Sequence, residues 1–290
     1  MAQDPTPDEF HERAAAWLAD NAPREGDAAA AEAAGLHTTE GQKAMLRKLY
    51  DAGFSGITWP REYGGQGLSD EHQLAFNRAA SDYRTPDIFG IATGMFGPTM
   101  LALGTEEQKQ RWIRSMIDGT HVWCQLFSEP NAGSDVASLR TRAVRDGDEY
   151  VINGQKVWTS GAQRADYGAL IARTDPSVPK HNGITMMILD MHQEGVTVRP
   201  LRQANGEAPF NEVFFDNARA KADTVIGEEN AGWAAAVIML RNERISIGTS
   251  ARKPSRPLSY DSVVAFAAKE GRMDDPLVRD RLAHLYAVDT

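Results

Sequence analysis

The sequence predicts an α+β protein in which a helical region, an antiparallel β-region and a second helical region follow one another along 290 residues. Three observations carry this. Apolar residues up to Gly119 recur at helix-face intervals; from Trp123 to about Val225 the period shortens to two, with regularly spaced turn signals; and from Asn230 the helical period returns. The implied parts are 1–122, a helical domain; 123–229, a β-barrel domain; and 230–290, a second helical region.

In the first part the apolar stripes are Phe10, Trp17 and Leu18, then Leu46, Leu49 and Tyr50, then Trp112, Ile113, Met116 and Ile117, and they read as core. Thr105 ahead of Glu106 to Gln108 reads as an N-cap and Gly119 as the stop of the last of these helices. The short Ala-rich run Ala28 to Ala34 reads as a helix or a mobile connection, with no chemistry.

The β-region offers strands at Val144 to Ile152, Gln155 to Thr159, Tyr167 to Arg173, Ile184 to Met191, Val196 to Leu201 and Glu212 to Phe215, separated by turns such as Asp146-Gly147, Asn182-Gly183 and Glu194-Gly195. Asn153-Gly154, between Tyr150–Ile152 and Gln155–Trp158, predicts a two-residue hairpin. The helix opening at Asn230 places Trp233, Val237, Leu240 and Ile247 on one face, with Arg244 inside that stripe and Glu243 on its border.

Composition narrows the function. The length suffices for two domains or a large two-part enzyme. A formal net charge of −9 argues against nucleic acid, and the one basic cluster, Arg252-Lys253 with Arg256, reads as solvated. A single cysteine, Cys124, excludes an intrachain disulfide. The opening MAQDPTPDEF lacks the pattern of a secretory signal, and no apolar run approaches the roughly 20 residues that span a bilayer, so the expected location is cytoplasmic. The seven histidines lack metal-ligand spacing, Gly64, Gly65 and Gly67 lack the lysine and serine of a phosphate loop, and there is no Gly-x-Ser-x-Gly elbow.

Chemistry concentrates in three places. The run LFSEPNAGSDVA, Leu126 to Ala137, turns a Glu-Pro corner into Gly-Ser-Asp; Ser128 suits a polar ring edge, and Gly133 with Ser134 suits phosphate oxygens. An ordinary polar turn accounts for this run equally well. Trp158, Thr159, Ser160 and Gly161 pair an aromatic face with two hydroxyls, as a flat heteroaromatic ring requires, although a lone tryptophan also closes the end of a barrel. Glu243 and Arg244 put two charges on or beside an apolar helix face, where they need a purpose or a salt-bridge partner.

Taken in order, these segments resemble the acyl-CoA dehydrogenase family of flavoproteins. The resemblance extends upstream to Gly56–Ser69 and Leu101–Gly119, similar to that family's N-terminal helical domain, and downstream to Phe215–Trp233, similar to its passage into the C-terminal bundle. It implies FAD as cofactor, an acyl-CoA substrate and an electron-transfer flavoprotein as acceptor. Gln125, Phe127 and Ser128 would contact the flavin ring, Gly133 and Ser134 the pyrophosphate side, Trp158, Thr159 and Ser160 the N5 edge, and Ser134 and Arg244 the acyl-CoA.

Glu243 matches the glutamate that serves as base in the isovaleryl-CoA and long-chain branch. It would remove the α-proton while the β-hydrogen leaves as hydride to flavin N5. A carboxylate manages this where the thioester carbonyl is hydrogen-bonded and the carboxylate is desolvated.

Some positions depart from the family pattern. Leu126 replaces a small residue, and Ser128 and Ser160 stand where threonine is common. Pro254 and Pro257 interrupt a run that is helical in relatives, and GRMDDPL, Gly271 to Leu277, stands in place of the Arg and Phe-Gly motif that reaches a neighbouring subunit's FAD. The chain stops within a helix bearing Val278, Leu282 and Leu285 on one face, which calls for a partner helix. Because the family's C-terminal domain is a four-helix bundle, the resemblance implies that 230–290 is only the start of that bundle, incomplete here, and a truncated chain is expected. The alternatives to a dehydrogenase in a homo- or hetero-oligomer are a same-fold flavin oxidase or monooxygenase, and a non-catalytic, partner-dependent subunit. The acyl pocket is expected around Met95, Phe96 and Met100.

Overall fold

The computed structural model describes residues 4–249 and 260–289, which group into two compact units, one ending at Thr249 and one of the residues beyond it. The expectations for Arg252-Lys253, Arg256, Pro254 and Pro257 lie outside the described residues.

The first unit opens with α1 (Pro7–Asn21), α2 (Ala28–Ala33), α3 (Thr39–Asp51) and α4 (Asp70–Ala80), then a π-helical turn at Ile91–Phe96, α5 (Gly97–Leu103) and α6 (Glu106–Ile117). The start of α6 is set locally: the Thr105 hydroxyl accepts from the Gln108 amide N–H, and the Gln108 side chain accepts from the Thr105 N–H, a reciprocal cap. Gly119, at φ 78°, ends this stretch in a conformation that glycine adopts without penalty. The Ala-rich run is helical, as α2.

The sheet comprises β1 (Trp123–Leu126), β2 (Arg142–Asp146), β3 (Glu149–Ser160), β4 (Tyr167–Arg173), β5 (Ile184–Asp190), β6 (Val196–Leu201) and β7 (Phe210–Lys221). The order is β1-β4-β2-β3-β7-β6, with β5 also on β4. Most pairs are antiparallel, but β1 runs parallel to β4, Trp123 opposite Tyr167. β1 is a strand that sequence pattern did not reveal: four residues with no polar alternation carry little periodicity.

The Asn153-Gly154 hairpin does not form. The turn sits at Gly147-Asp148, with Gly147 at φ 66° and Asp146 paired to Glu149, so the predicted strand Val144–Ile152 folds back on itself as β2 and β3. Asn153 and Gly154 instead continue β3 past a bulge in β7. The Asn153 side chain bonds both the N–H and the side chain of Asn217, which lies at φ 54°, and a Cβ at Gly154 would overlap Thr141. With that bulge absorbed, β7 runs twelve residues, well beyond Glu212–Phe215.

β4 and β5 are buried on both faces because they separate two cores. Ala169 and Ile171 pack with Trp123, Trp112, Phe96 and Met116, whereas Leu170 and Ala172 pack with Cys124, Leu126, Met187 and Val213. Gly168 is small because Leu126 occupies the space its Cβ would need. An aromatic set ties helices to sheet, with Trp112 edge-on to Tyr167 at 4.6 Å and Phe96 5.0 Å from Trp123.

Helix α7 (Gly232–Thr249) completes this unit. Its buried face consists of Ala235, Ala236 and Met239, while Val237 and Ile247 are exposed. The predicted stripe is therefore rotated. Small residues let α7 approach β5 closely, since a Cβ on Gly232 would overlap the backbone at Thr185 and Met186, and the large side chains flank the contact. The second unit is a helix pair, α8 (Tyr260–Lys269) and α9 (Pro276–Asp289), with Leu282 buried between them and Phe266 and Leu277 exposed. No helix among the described residues is long and apolar enough to cross a membrane.

Candidate active site

β1 leads directly into the corner. Gln125 is half-buried, Phe127 turns its ring into the core, and Ser128 is half-buried. Glu129 and Ala132 exchange both backbone bonds at 3.0 Å, leaving Pro130 and Asn131 exposed at the tip. Gly133, Ser134 and Asp135 follow on the surface. The Lys180 ammonium, 2.8 Å away, and the Ser138 hydroxyl donate to Asp135 and hold its carboxyl below the usual range.

Inside the corner lies an ion pair. Lys156 Nζ stands 2.9 Å from Glu129 Oε1, and both side chains are buried. Burial alone would raise the Glu129 carboxyl, but the Lys156 charge and the backbone N–H groups of Arg140 and Thr141 outweigh it and leave the group below its ordinary value. Burial pushes the Lys156 ammonium down to about 8, with Glu129 offsetting part of the effect.

The end of β3 faces the corner. Val157 N–H donates to Ser128 O at 2.9 Å. Between Lys156, opposite Val213, and Thr159, opposite Asn211, β3 carries one extra residue, and within this bulge Trp158 takes φ 61° with its indole 62% exposed. A bulky side chain in the left-handed region costs about 1–3 kcal/mol, and such outliers concentrate at functional sites. Phe210 meets the indole edge-on at 6.0 Å. Ser160 is exposed, but the Thr159 side chain is buried, where its hydroxyl has no hydrogen-bond partner among the described residues; Asn211 donates to the Thr159 carbonyl at 3.0 Å.

Helix α7 brings Glu243 to this place. Its position follows from Met239: four residues on, Glu243 continues the packed face and is half-buried, whereas Arg244, a further 100° round, is exposed. This reverses the expected placement of the two charges. Gln125 Nε2 donates to Glu243 Oε2 at 3.5 Å. One residue earlier, Asn242 donates to Thr99 Oγ1 at 3.2 Å, fixing α7 on the helices behind the site. Phe96 and Met100 are fully buried core side chains, so of the three residues expected around the acyl pocket only Met95 is partly accessible.

The structure thus gathers Gln125 with Glu243, and Ser128 with the Trp158 bulge. It does not bring in the Thr159 hydroxyl, the Phe127 ring or Arg244, which point inward, coreward and outward. Sequence reasoning missed Glu129, Lys156 and Asn211. The available signal was a lysine and an asparagine at inward positions of strands whose other inward residues are mostly apolar. Cys124 is buried, which pushes its thiol up and removes it as a nucleophile. Among the described residues no group of His, Cys, Asp and Glu side chains is placed to hold a metal ion. A cleft of about 560 Å³ near the start of α6 shares none of these residues, and its arginines are engaged: Arg111 with Asp223 and Arg145 with Glu229, each at 3.6 Å.

A helical region, a sheet ending in a corner and a strained aromatic, and a helix delivering a carboxylate to that corner define an oxidoreductase of the acyl-CoA dehydrogenase type. The family's N-terminal domain profile matches residues 6–120 and its middle domain profile residues 124–218, and the chain belongs to the acyl-CoA dehydrogenase family. It is 38% identical over 285 residues to acyl-CoA dehydrogenase IpdE1 of Mycobacterium tuberculosis, covering 96% of this chain and 73% of that protein. It is 44% identical over 224 residues to acyl-CoA dehydrogenase FadE34 of the same organism, covering 77% of this chain and 30% of that protein. The solved Tcur3481-Tcur3483 steroid ACAD superposes with a TM-score of 0.76 at 35% identity, covering 99% of this chain and 74% of that one.

Proposed function

We propose that the chain catalyses FAD-dependent α,β-dehydrogenation of an acyl-CoA thioester, with Glu243 as the base, and passes the electrons to an electron-transfer flavoprotein. The observation that carries this reading is the Gln125–Glu243 hydrogen bond, which joins a carboxylate to the start of the corner across 118 residues of sequence.

The residues fit FAD. Gly133 has no positive φ, and a Cβ there would meet no atom within 4 Å among the described residues, so neither conformation nor packing among them calls for glycine. Beside the exposed Ser134 it leaves backbone open to close approach by phosphate oxygens. Trp158 offers an exposed aromatic face, and Ser128 and Ser160 offer hydroxyls on either side of the Val157–Ser128 bond. When bound, the flavin supplies the two-electron acceptor for the β-hydrogen.

The chain's own residues do the rest. Glu243 takes the α-proton onto a carboxylate oxygen, and the Gln125 amide orients that carboxylate toward β1. The packed face of α7, Ala235, Ala236 and Met239, holds the base on a rigid element.

The substrate class that the neighbours favour is a steroid-derived acyl-CoA, because the Tcur3481-Tcur3483 steroid ACAD is 35% identical. A heteromeric assembly is the second reading. It is favoured by that structure and by the ChsE4-ChsE5 complex from Mycobacterium tuberculosis, which superposes with a TM-score of 0.74 at 31% identity.

The test is the visible spectrum of the purified protein supplied with FAD, recorded anaerobically against a panel of straight, branched and steroid side-chain acyl-CoAs. Bleaching by one thioester supports the reading. A protein that takes up no FAD, or whose bound flavin no thioester reduces, overturns it; uptake that requires a co-expressed second subunit selects the heteromeric form.

A further inference from the structure

One buried pair of charges has no part in the contacts assigned so far. Lys156 is fully buried, Glu129 is 8% exposed, and they meet at 2.9 Å. Withdrawing two charges from water costs several kcal/mol per ion, and an apolar pair of equal volume is often as stable or more so. Stability alone therefore does not account for them, and their other bonds show what they join.

Lys156 Nζ also donates to the Phe127 carbonyl at 2.9 Å. The Glu129 carboxylate accepts from Arg140 N–H at 2.7 Å and from Thr141 N–H at 2.9 Å. Three stretches of backbone thus converge on one ion pair: the entry to the corner, its exit, and β3 immediately before the Trp158 bulge. The backbone bond from Val157 to Ser128 and a long bond, 3.4 Å, from the Thr141 hydroxyl to the Gln155 carbonyl join the corner to β3 at further points. Both are neutral hydrogen bonds; the ion pair adds the charged link that ties entry and exit of the corner to β3 together, as buried charges do where they fix register.

Building on the flavin reading above, we propose that Glu129 and Lys156 are positioning residues, locking the corner to the bulge so that Ser128 and Ser134 on one side, and Trp158 and Ser160 on the other, meet the flavin in one fixed relation. They touch neither substrate nor cofactor. Their contribution is preorganisation: without them FAD must itself order the corner, and affinity falls by the cost of that ordering.

The test is FAD titration of the full chain after removal of flavin, followed by flavin fluorescence and absorption, alongside thermal unfolding of the flavin-free protein. Glu129→Gln combined with Lys156→Met removes both charges at similar volume and leaves no unpaired ion, at the cost of one acceptor, since the glutamine amide nitrogen replaces an oxygen facing Arg140 or Thr141 N–H; cooperative folding is the expected outcome. The expected result is unchanged cooperative unfolding, an FAD Kd raised about tenfold or more, and a flavin band broadened toward that of free FAD.

Glu129→Asp is the second variant, in case the double variant does not fold. It keeps the charge but withdraws the carboxylate from Arg140 and Thr141, and it should raise the Kd in the same sense. Wild-type Kd and spectrum in whichever variant folds would overturn the proposal. Failure of the wild-type chain to take up FAD, both alone and with a co-expressed second subunit, overturns the site reading and the proposal with it, and that outcome is recognisable because it precedes any substitution.

Discussion

The Gln125 amide and the Glu243 carboxylate meet at 3.5 Å, at the junction of β1 and α7. The contact ties Glu243 to the end of β1 that leads into the proposed site. Glu243→Gln, nearly isosteric, should bind FAD and acyl-CoA normally while losing about 10²- to 10⁴-fold in the reductive half-reaction, the usual contribution of a positioned base. Gln125→Leu removes the orienting bond, and at 3.5 Å that bond is long, so the expected loss is about tenfold in kcat with little change in KM. Stopped-flow flavin bleaching measures both, and equal losses in the two variants would remove Glu243 from the role of base.

Trp158 is held at φ 61°. Substitutions there should therefore rank by tolerance of the left-handed region, not by hydrophobicity. Trp158→Gly and Trp158→Asn should leave the flavin-free protein about 1–2 kcal/mol more stable than Trp158→Val, since a β-branched side chain bears the largest penalty in that conformation. Denaturant unfolding decides this; a valine variant as stable as the glycine variant would mean that the bulge relaxes on substitution.

Much of the fold was legible because it is local. The Thr105–Gln108 cap and the Gly119 stop are written in adjacent residues, and the run of strands in their period. The Asn153-Gly154 turn was misread because the same dipeptide serves a bulge in β7 when Asn217, far along the chain, accepts it as partner. The exchange of Glu243 and Arg244 on α7 has a similar cause: phase was read from large side chains, whereas the helix docks through Ala235 and Ala236. The Glu129–Lys156 pair depends on a tertiary meeting that no spacing encodes.

Asp166 links α3 to the entry of β1, taking Lys43 Nζ at 3.1 Å and Val122 N–H at 2.8 Å. Burial tends to raise its carboxyl, but the Val122 N–H and the Lys43 ammonium prevail and hold it below 3.8. A carboxyl depressed in the folded state stabilises the fold above its unfolded value, and that contribution is lost as pH falls through the folded value. Asp166→Asn should therefore lower the Tm at neutral pH, with the gap to wild type closing below about pH 3.8. A gap that persists unchanged into strong acid would show that the charge is immaterial.

Gly94, in the π-helical turn, lies against Ser246 on the turn of α7 that follows Glu243; a Cβ at residue 94 would overlap both Oγ and Cβ of Ser246. Gly94→Ala should thus push α7 outward, costing about 1–3 kcal/mol as overpacked contacts do. Because the proposed base rides on that helix, kcat should fall along with stability. Ser246→Ala removes only the hydroxyl and should rescue in part, whereas Ser246→Gly removes both clashing atoms and should restore stability and rate together. A double-mutant cycle in Tm and kcat tests the coupling. Additive effects would mean that the helix yields at residue 94 without moving Glu243, and that α7 is positioned chiefly by the Asn242–Thr99 bond and its Ala235–Met239 face.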